Sequence, residues 1–124
     1  METYSPGQVA DRTGFSLDTL RYYERIGLLE NIARTAGGQR IFTDEDVWWL
    51  GMLRCLRDTG MPIAQMIRYA SLNRDDSANP DRVALLEEHD EEVTRKLAEL
   101  TQQRDYLRGK IRYYRSLDQA GGEE

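Results

Sequence analysis

The sequence predicts an all-α fold with one small β wing: a winged helix-turn-helix head over residues 1–72 and a long C-terminal helix shaped for a coiled coil. Three observations predict it. Two short helical segments, each opened by a serine and closed by a glycine, lie about three residues apart near the N-terminus, within helix-turn-helix range. A Gly37-Gly38 turn flanked by arginines follows them. Residues 80–118 then carry apolar side chains at alternating steps of four and three, the spacing of a coiled-coil seam.

Ser5-Pro6 is a helix start, a hydroxyl N-cap with proline at the first helical position. The helix runs to about Thr13 with Val9 and Ala10 inward, and Gly14 ends it. Ser16 caps the second helix and Gly27 closes it at the C′ position. Residues 16–29 place aromatic and arginine side chains along one side of that rod, the form in which side chains are offered to a DNA groove. Leu28-Leu29 and Ile41-Phe42 read as extended arms around Arg34-Thr-Ala-Gly-Gly-Gln-Arg40, hence a β-hairpin or wing. A plain surface loop would carry the same glycines; arginines on both sides favour contact with DNA.

Thr43-Asp-Glu-Asp46 caps a helix over about 44–58. Its apolar residues Val47, Trp48, Trp49, Leu50, Met52, Leu53, Cys55 and Leu56 cover too wide an arc for packing on one side, so it should be sandwiched. Gly60 stops it. Pro62 starts another helix, with Ile63, Met66, Ile67 and Ala70 as the buried stripe. Residues 73–79 read as a polar linker, and Asn79-Pro80 opens the long helix, followed by a frayed polar tail over 119–124.

The seam of that helix runs through Leu86, Asp90, Val93, Leu97, Leu100, Arg104, Leu107, Ile111 and Tyr114. From 80 to 117 the helix is roughly 55 Å long. A stripe of that length needs a second copy, which makes the chain a homodimer. Spacing leaves the strand direction open. An antiparallel register centred on Leu100 sets Val93 opposite Leu107, Leu86 opposite Tyr114, and Asp90 opposite Lys110, so the seam's acid meets a cation.

Composition bounds the chemistry. Net charge over the 124 residues is −5, yet residues 1–72 nearly balance, with eight arginines, no lysine and nine acids. Every cation there is the planar donor suited to phosphates and guanine edges. No run approaches the roughly 18 apolar residues of a membrane span. The start is neither basic nor apolar, so a cytoplasmic, nucleoid-associated chain is expected. Cys55 and His89 are each the only residue of their kind and cannot complete a four-ligand zinc site. No metal or cofactor is expected. Without a phosphate loop, paired catalytic carboxylates or a histidine near Cys55, neither is enzyme activity.

The motif Thr19-Leu-Arg-Tyr-Tyr-Glu-Arg-Ile-Gly-Leu-Leu29, the wing Arg34…Gly38-Gln39-Arg40, the Thr-Asp-Glu-Asp cap and the long final helix together resemble the MerR family of bacterial transcription regulators, over essentially the whole chain. Leu53-Arg-Cys55-Leu-Arg-Asp-Thr-Gly-Met-Pro-Ile63 with Ile67-Arg-Tyr-Ala-Ser-Leu72 is similar to its NmlR/AdhR subgroup, members of which are associated with aldehyde, nitrosative and thiol stress. The resemblance implies a homodimer held by antiparallel C-terminal helices. It also implies binding to double-stranded promoter DNA in the spacer between the hexamers, which is bent and untwisted so that RNA polymerase engages both. That is regulation through DNA shape. By position, Thr19, Arg21 and Tyr22, with Ser16 at the helix start, are the implied recognition contacts, and Arg34, Gly38, Gln39 and Arg40 those of the wing. Leu20 and Tyr23 pack inward. Gln39 stands where many members have tyrosine, so a stacking contribution is missing there.

Cys55 has two readings: a small buried hydrophobe, or a sensor of electrophiles and oxidants on the same helix edge as Trp48 and Met52. Its place near the helix C-terminus disfavours a thiolate. His89 reads as a surface histidine. Two rival functions stay open: the same DNA-binding architecture without its own signal, and a coiled-coil interaction module whose head binds protein.

Overall fold

Serine and threonine caps fix where the helices of the head begin. In the computed structural model, which describes residues 2–122, α1 (Pro6–Thr13) starts with a reciprocal cap: Ser5 Oγ accepts from the Gln8 amide at 3.2 Å and the Gln8 side chain accepts from the Ser5 amide at 2.9 Å. Ser16 Oγ accepts from the Thr19 amide at 3.1 Å to start α2 (Leu17–Arg25). Thr43 and Asp46 form the same reciprocal pair at the head of α3 (Asp44–Asp58). Gly14, Phe15 and Ser16 separate α1 from α2, and Gly14 takes φ +78°.

The closing glycines work as expected. Gly27 is left-handed at φ +90°, and the Leu28 amide donates back to Tyr23 O at 2.8 Å. Gly60, also at +90°, ends α3 the same way, with the Met61 amide donating to Leu56 O at 2.9 Å. Pro62 then precedes α4 (Ile63–Leu72).

Three short strands form an antiparallel sheet in the order β1-β3-β2, with β1 at Thr3–Tyr4, β2 at Ala33–Arg34 and β3 at Arg40–Thr43. Tyr4 lies opposite Phe42, and Arg34 opposite Arg40. The first wing arm is therefore Ala33–Arg34 and not Leu28-Leu29. Both leucines are buried, and their amides both donate to Tyr23 O, so they finish the helix turn instead of entering a strand.

Helix α3 is the hub of the core. Leu50, Leu53 and Leu56 are buried along one side, with Val9, Phe15 and Phe42 also enclosed. The helix is sandwiched as expected, with α1 on one flank and α4 on the other, the latter through the Trp49–Tyr69 stack. One edge stays open: Trp48 is 86% exposed and Cys55 is exposed. On α4 the buried stripe is Met66, Tyr69 and Ala70, whereas Ile63 and Ile67, expected inside, are about 40% exposed. Tyr69 displaces them because its ring stacks on Trp49, at 5.4 Å and 13° between planes.

The polar stretch after α4 is partly ordered as a 3-10 turn at Asp76–Ala78. Asp75 accepts from the Ser77 hydroxyl and amide, which holds its carboxyl below the usual range. Helix α5 spans Asn79–Gly122 and carries Gly109 in its interior. Residues 119–122, expected as frayed tail, continue the helix, because no proline interrupts it; 123 and 124 lie outside the described residues. The chain divides into two units, Met1–Leu85 and Leu86–Glu124, so the first turns of α5 belong with the head. In the second unit Leu97, Leu100, Leu107, Ile111 and Tyr114 are all exposed, and Val93 is half-buried.

Gly14 packs against Arg54, whose guanidinium donates to Thr13 O and whose Nε donates to Asp58 at 2.8 Å. That bond holds the Asp58 carboxyl below its usual range. A β-carbon on Gly14 would run into the guanidinium, whereas one on Gly27 would meet nothing within 4 Å. Gly14→Ala should lose about 2–3 kcal/mol in urea unfolding and Gly27→Ala only about 1 kcal/mol, its backbone strain alone. Equal losses would show that the Arg54 contact contributes nothing.

Candidate nucleic-acid interface

Helix α2 has one dry face and one bare face. Leu20 and Tyr23 are buried, the Tyr23 ring standing edge-on to Phe15 at 5.3 Å. Burial pushes the Tyr23 hydroxyl pKa up, opposed by Arg57. Asp18, Arg21, Tyr22 and Arg25 recur at helical spacing on the outer face and are all exposed. The Arg25 guanidinium lies 5.4 Å from the Tyr22 ring centre. Arg21 is 3.6 Å from Asp18, but both are so exposed that the pair contributes under about 1 kcal/mol. Arg21 can therefore exchange Asp18 for another anion at little cost.

Ser16 and Thr19 are already engaged with each other. Their hydroxyls are 2.9 Å apart, and Ser16 Oγ also holds the Thr19 amide. Ser16 is thus first a cap.

The wing turn is a three-residue loop, Ala36-Gly37-Gly38. The Gly38 amide donates to Thr35 O at 2.9 Å, and the Thr35 amide donates to Gln39 O at 2.8 Å. Gly38 at φ +85° supplies the left-handed step that such a loop needs. Gly38 and Gln39 are exposed at the tip. Behind the tip, Arg34 and Arg40 converge on one carboxylate. Glu24 Oε1 accepts from Arg34 Nη2 at 3.1 Å and from Arg40 Nε at 2.8 Å, with Arg40 Nη2 also at 2.8 Å. Helix α2 and the wing are thereby joined.

The C-terminal end of α2 has its own fastenings. The Trp49 indole donates to Leu28 O at 2.7 Å, and Arg74 donates to Gly27 O at 2.7 Å while pairing with Glu30 at 2.8 Å. A cleft of about 190 Å³ lies here, lined by Leu28, Asn31, Trp49 and Arg74 among others. Sequence reasoning did not single out Glu24, Trp49 or Arg74 for these tasks. Glu24 had a readable signal, since two arginines facing across a wing call for an acid; Arg74, in an apparent linker, had none.

Cys55 is not a core residue; its exposed thiol shares a helix edge with exposed Trp48 and half-buried Met52. Among the described residues no cluster of three or more His, Cys, Asp or Glu side chains is placed to hold a metal ion, and no helix is long and apolar enough to cross a membrane.

A family model described as MerR HTH family regulatory protein matches residues 4–72, and a second, MerR, DNA binding, matches residues 47–110. The chain belongs to the MerR family. An uncharacterized HTH-type transcriptional regulator of Haemophilus influenzae is 36% identical over 121 residues, covering 96% of this chain and 89% of its own length. AdhR of Bacillus subtilis is 40% identical over 65 residues, 52% of this chain and 46% of AdhR. Among solved structures, HiNmlR, a MerR family regulator lacking the sensor domain and bound to promoter DNA, matches with a TM-score of 0.85 at 36% identity, over 93% of this chain and 92% of that one. The NmlR/AdhR likeness read from residues 53–72 agrees with these relatives.

As a MerR head, this unit depends on α2 starting at Ser16. Ser16→Ala should lower unfolding stability by about 1 kcal/mol, and Ser16→Asp should restore it. Failure of aspartate to restore it would mean that the hydroxyl does something other than cap.

Proposed function

We propose that the chain acts as a homodimer on double-stranded promoter DNA, bending and untwisting the spacer so that RNA polymerase engages both hexamers. The observation that carries this reading is the bare face of α2, with Arg21, Tyr22 and Arg25 exposed, tied through Glu24 to a wing bearing Arg34 and Arg40. Arg21 and Tyr22 approach the groove, Thr19 stands at the helix start behind Ser16, and Gly38 and Gln39 let the wing backbone approach a phosphate. Relatedness to a regulator solved on promoter DNA supports it. The dimer forms along Leu86, Val93, Leu97, Leu100, Leu107, Ile111 and Tyr114, whose apolar side chains are exposed or half-buried in the single chain. Such a protein works in the cytoplasm and carries no catalytic chemistry of its own.

Sedimentation should give a dimer at micromolar concentration, and duplex binding should weaken steeply with salt. Arg21→Ala should weaken binding to every duplex alike and make the logarithmic salt slope shallower by about one. A monomer indifferent to duplex DNA would falsify the proposal and leave the protein-interaction module as the better account.

The exposure of Cys55 favours a second, finer element: its thiol is the input, with an added group disturbing the Trp48–Met52 edge. Cys55→Ala should then keep DNA affinity but abolish the transcriptional response to aldehydes and thiol oxidants. An undiminished response in that variant makes the protein a regulator without its own thiol signal.

A further inference from the structure

Arg34 and Arg40 face each other directly across β2 and β3. Like charges in that position repel and destabilise a two-stranded ribbon. This ribbon is short, with Ala33 and Arg34 forming the whole of β2, and both Ala33 and Arg34 are exposed. What offsets the repulsion comes from outside the wing. One oxygen of Glu24 on α2 receives both guanidinia, and Glu24 is itself only 23% exposed. The two arginines are not equivalent. Arg40, 25% exposed, meets Glu24 through two nitrogens, whereas Arg34, 47% exposed, uses one and donates from Nη1 to Gly38 O at 3.3 Å. A guanidinium has five N–H donors, so each arginine keeps donors directed elsewhere while its position is held.

We propose that Glu24 is the positioning residue that sets DNA specificity in this protein: its carboxylate fixes the wing arginines at one distance from the recognition helix, so helix and wing can match a duplex only in one relative placement. The inference rests on the DNA-binding reading above and adds the element that makes binding selective. Without the carboxylate, Arg40 and Arg34 part under their own repulsion and reach whichever phosphates lie near. Affinity for arbitrary DNA then rises while selectivity falls. A merely structural ion pair behaves differently, because its loss weakens the fold and lowers binding to all duplexes together.

The test compares the full chain with Glu24→Gln and Glu24→Asp. Two probes are used: a duplex enriched from a random pool by the wild-type protein, and a scrambled duplex of equal composition, each titrated over a range of salt. Glu24→Asp keeps the charge but is one methylene too short to hold both guanidinia. Both variants should bind the scrambled duplex more tightly and lose about tenfold in the ratio of enriched to scrambled affinity. For Glu24→Gln the salt slope on the scrambled duplex should steepen by about one. An unchanged ratio in both variants, or a loss confined to Glu24→Gln, overturns the inference, the latter because charge and not placement would then be responsible. Should Glu24→Gln fail to fold, Glu24→Asp decides alone. A wild-type chain that binds neither duplex sinks the DNA-binding reading itself, a separate and recognisable outcome.

Discussion

A nine-residue helix that must leave one face bare cannot hold itself together. Isolated helices this short are marginal in water, so α2 depends on the burial of Leu20 and Tyr23 and on what grips its ends. At the N-terminal end the grip is the Gly14 turn, packed under Arg54, with the Ser16 cap beyond it. At the C-terminal end it is the Gly27 closure, with Trp49 and Arg74 bonding the carbonyls of Leu28 and Gly27. These carbonyls have no partner within the helix, and leaving a buried one unmet costs about 1–3 kcal/mol. Polar fastening at the ends and apolar burial on one side together free the outer face of any structural duty. That freedom leaves Arg21, Tyr22 and Arg25 exposed and available for the DNA contacts proposed for them.

The charge of the chain is consistent with this division of labour. A net charge of −5 is unpromising for a nucleic-acid partner, but charge acts through its placement. Glu24 faces two arginines, and Asp58 faces Arg54 and Arg57. The acids Asp44, Glu45 and Asp46 sit in the first turn of α3, where the helix dipole favours them. Tyr4 adds to that corner: its hydroxyl lies 2.6 Å from Asp44 and 2.8 Å from Glu2, and those hydrogen bonds push its pKa up to about 12. Much of the head's acidity is thus already engaged in holding the fold, so it opposes a phosphate backbone less than a simple count implies.

Elements governed by local chemistry were legible in the sequence. Ser5-Pro6, Ser16, Thr43 and Gly27 act within a few residues of themselves, and the helix boundaries they imply for α1, α2 and α3 match the structure. Features decided by distant partners were not. The Thr3–Tyr4 strand is too short to show alternation and exists because β3 lies beside it. Leu28-Leu29 has the composition of a strand, but Gly27 commits both amides to Tyr23 O. Ile67 has the right spacing for the core of α4, yet Tyr69 takes the inner place because Trp49 offers it a stacking face. At the candidate interface the outer residues of α2 could be read from its period, and the facing arginines of the wing called for an acid such as Glu24, while the Arg74 bond to Gly27 could not be read, because it joins residues 47 positions apart.

The open seam of α5 bears on the head through affinity. A near-neutral head with few arginines makes few phosphate contacts, and each exposed contact is weak and screened by salt. Two heads joined by paired helices bind as one unit, the second engaging at the effective concentration set by the first, so modest contacts multiply without any new one. At about 1.5 Å per residue a 44-residue helix extends roughly 66 Å. Leu97, Leu100 and Leu107, each about 60% exposed along it, have apolar surface to bury. Burial of a leucine is worth roughly 1.5–3 kcal/mol, more than any single exposed ion pair in the head. In the proposed dimer the seam therefore supplies most of the association energy, and the heads can remain weak binders individually. If the chain acts through DNA shape as proposed, that weakness is useful, since heads held too tightly on straight DNA would oppose the deformation.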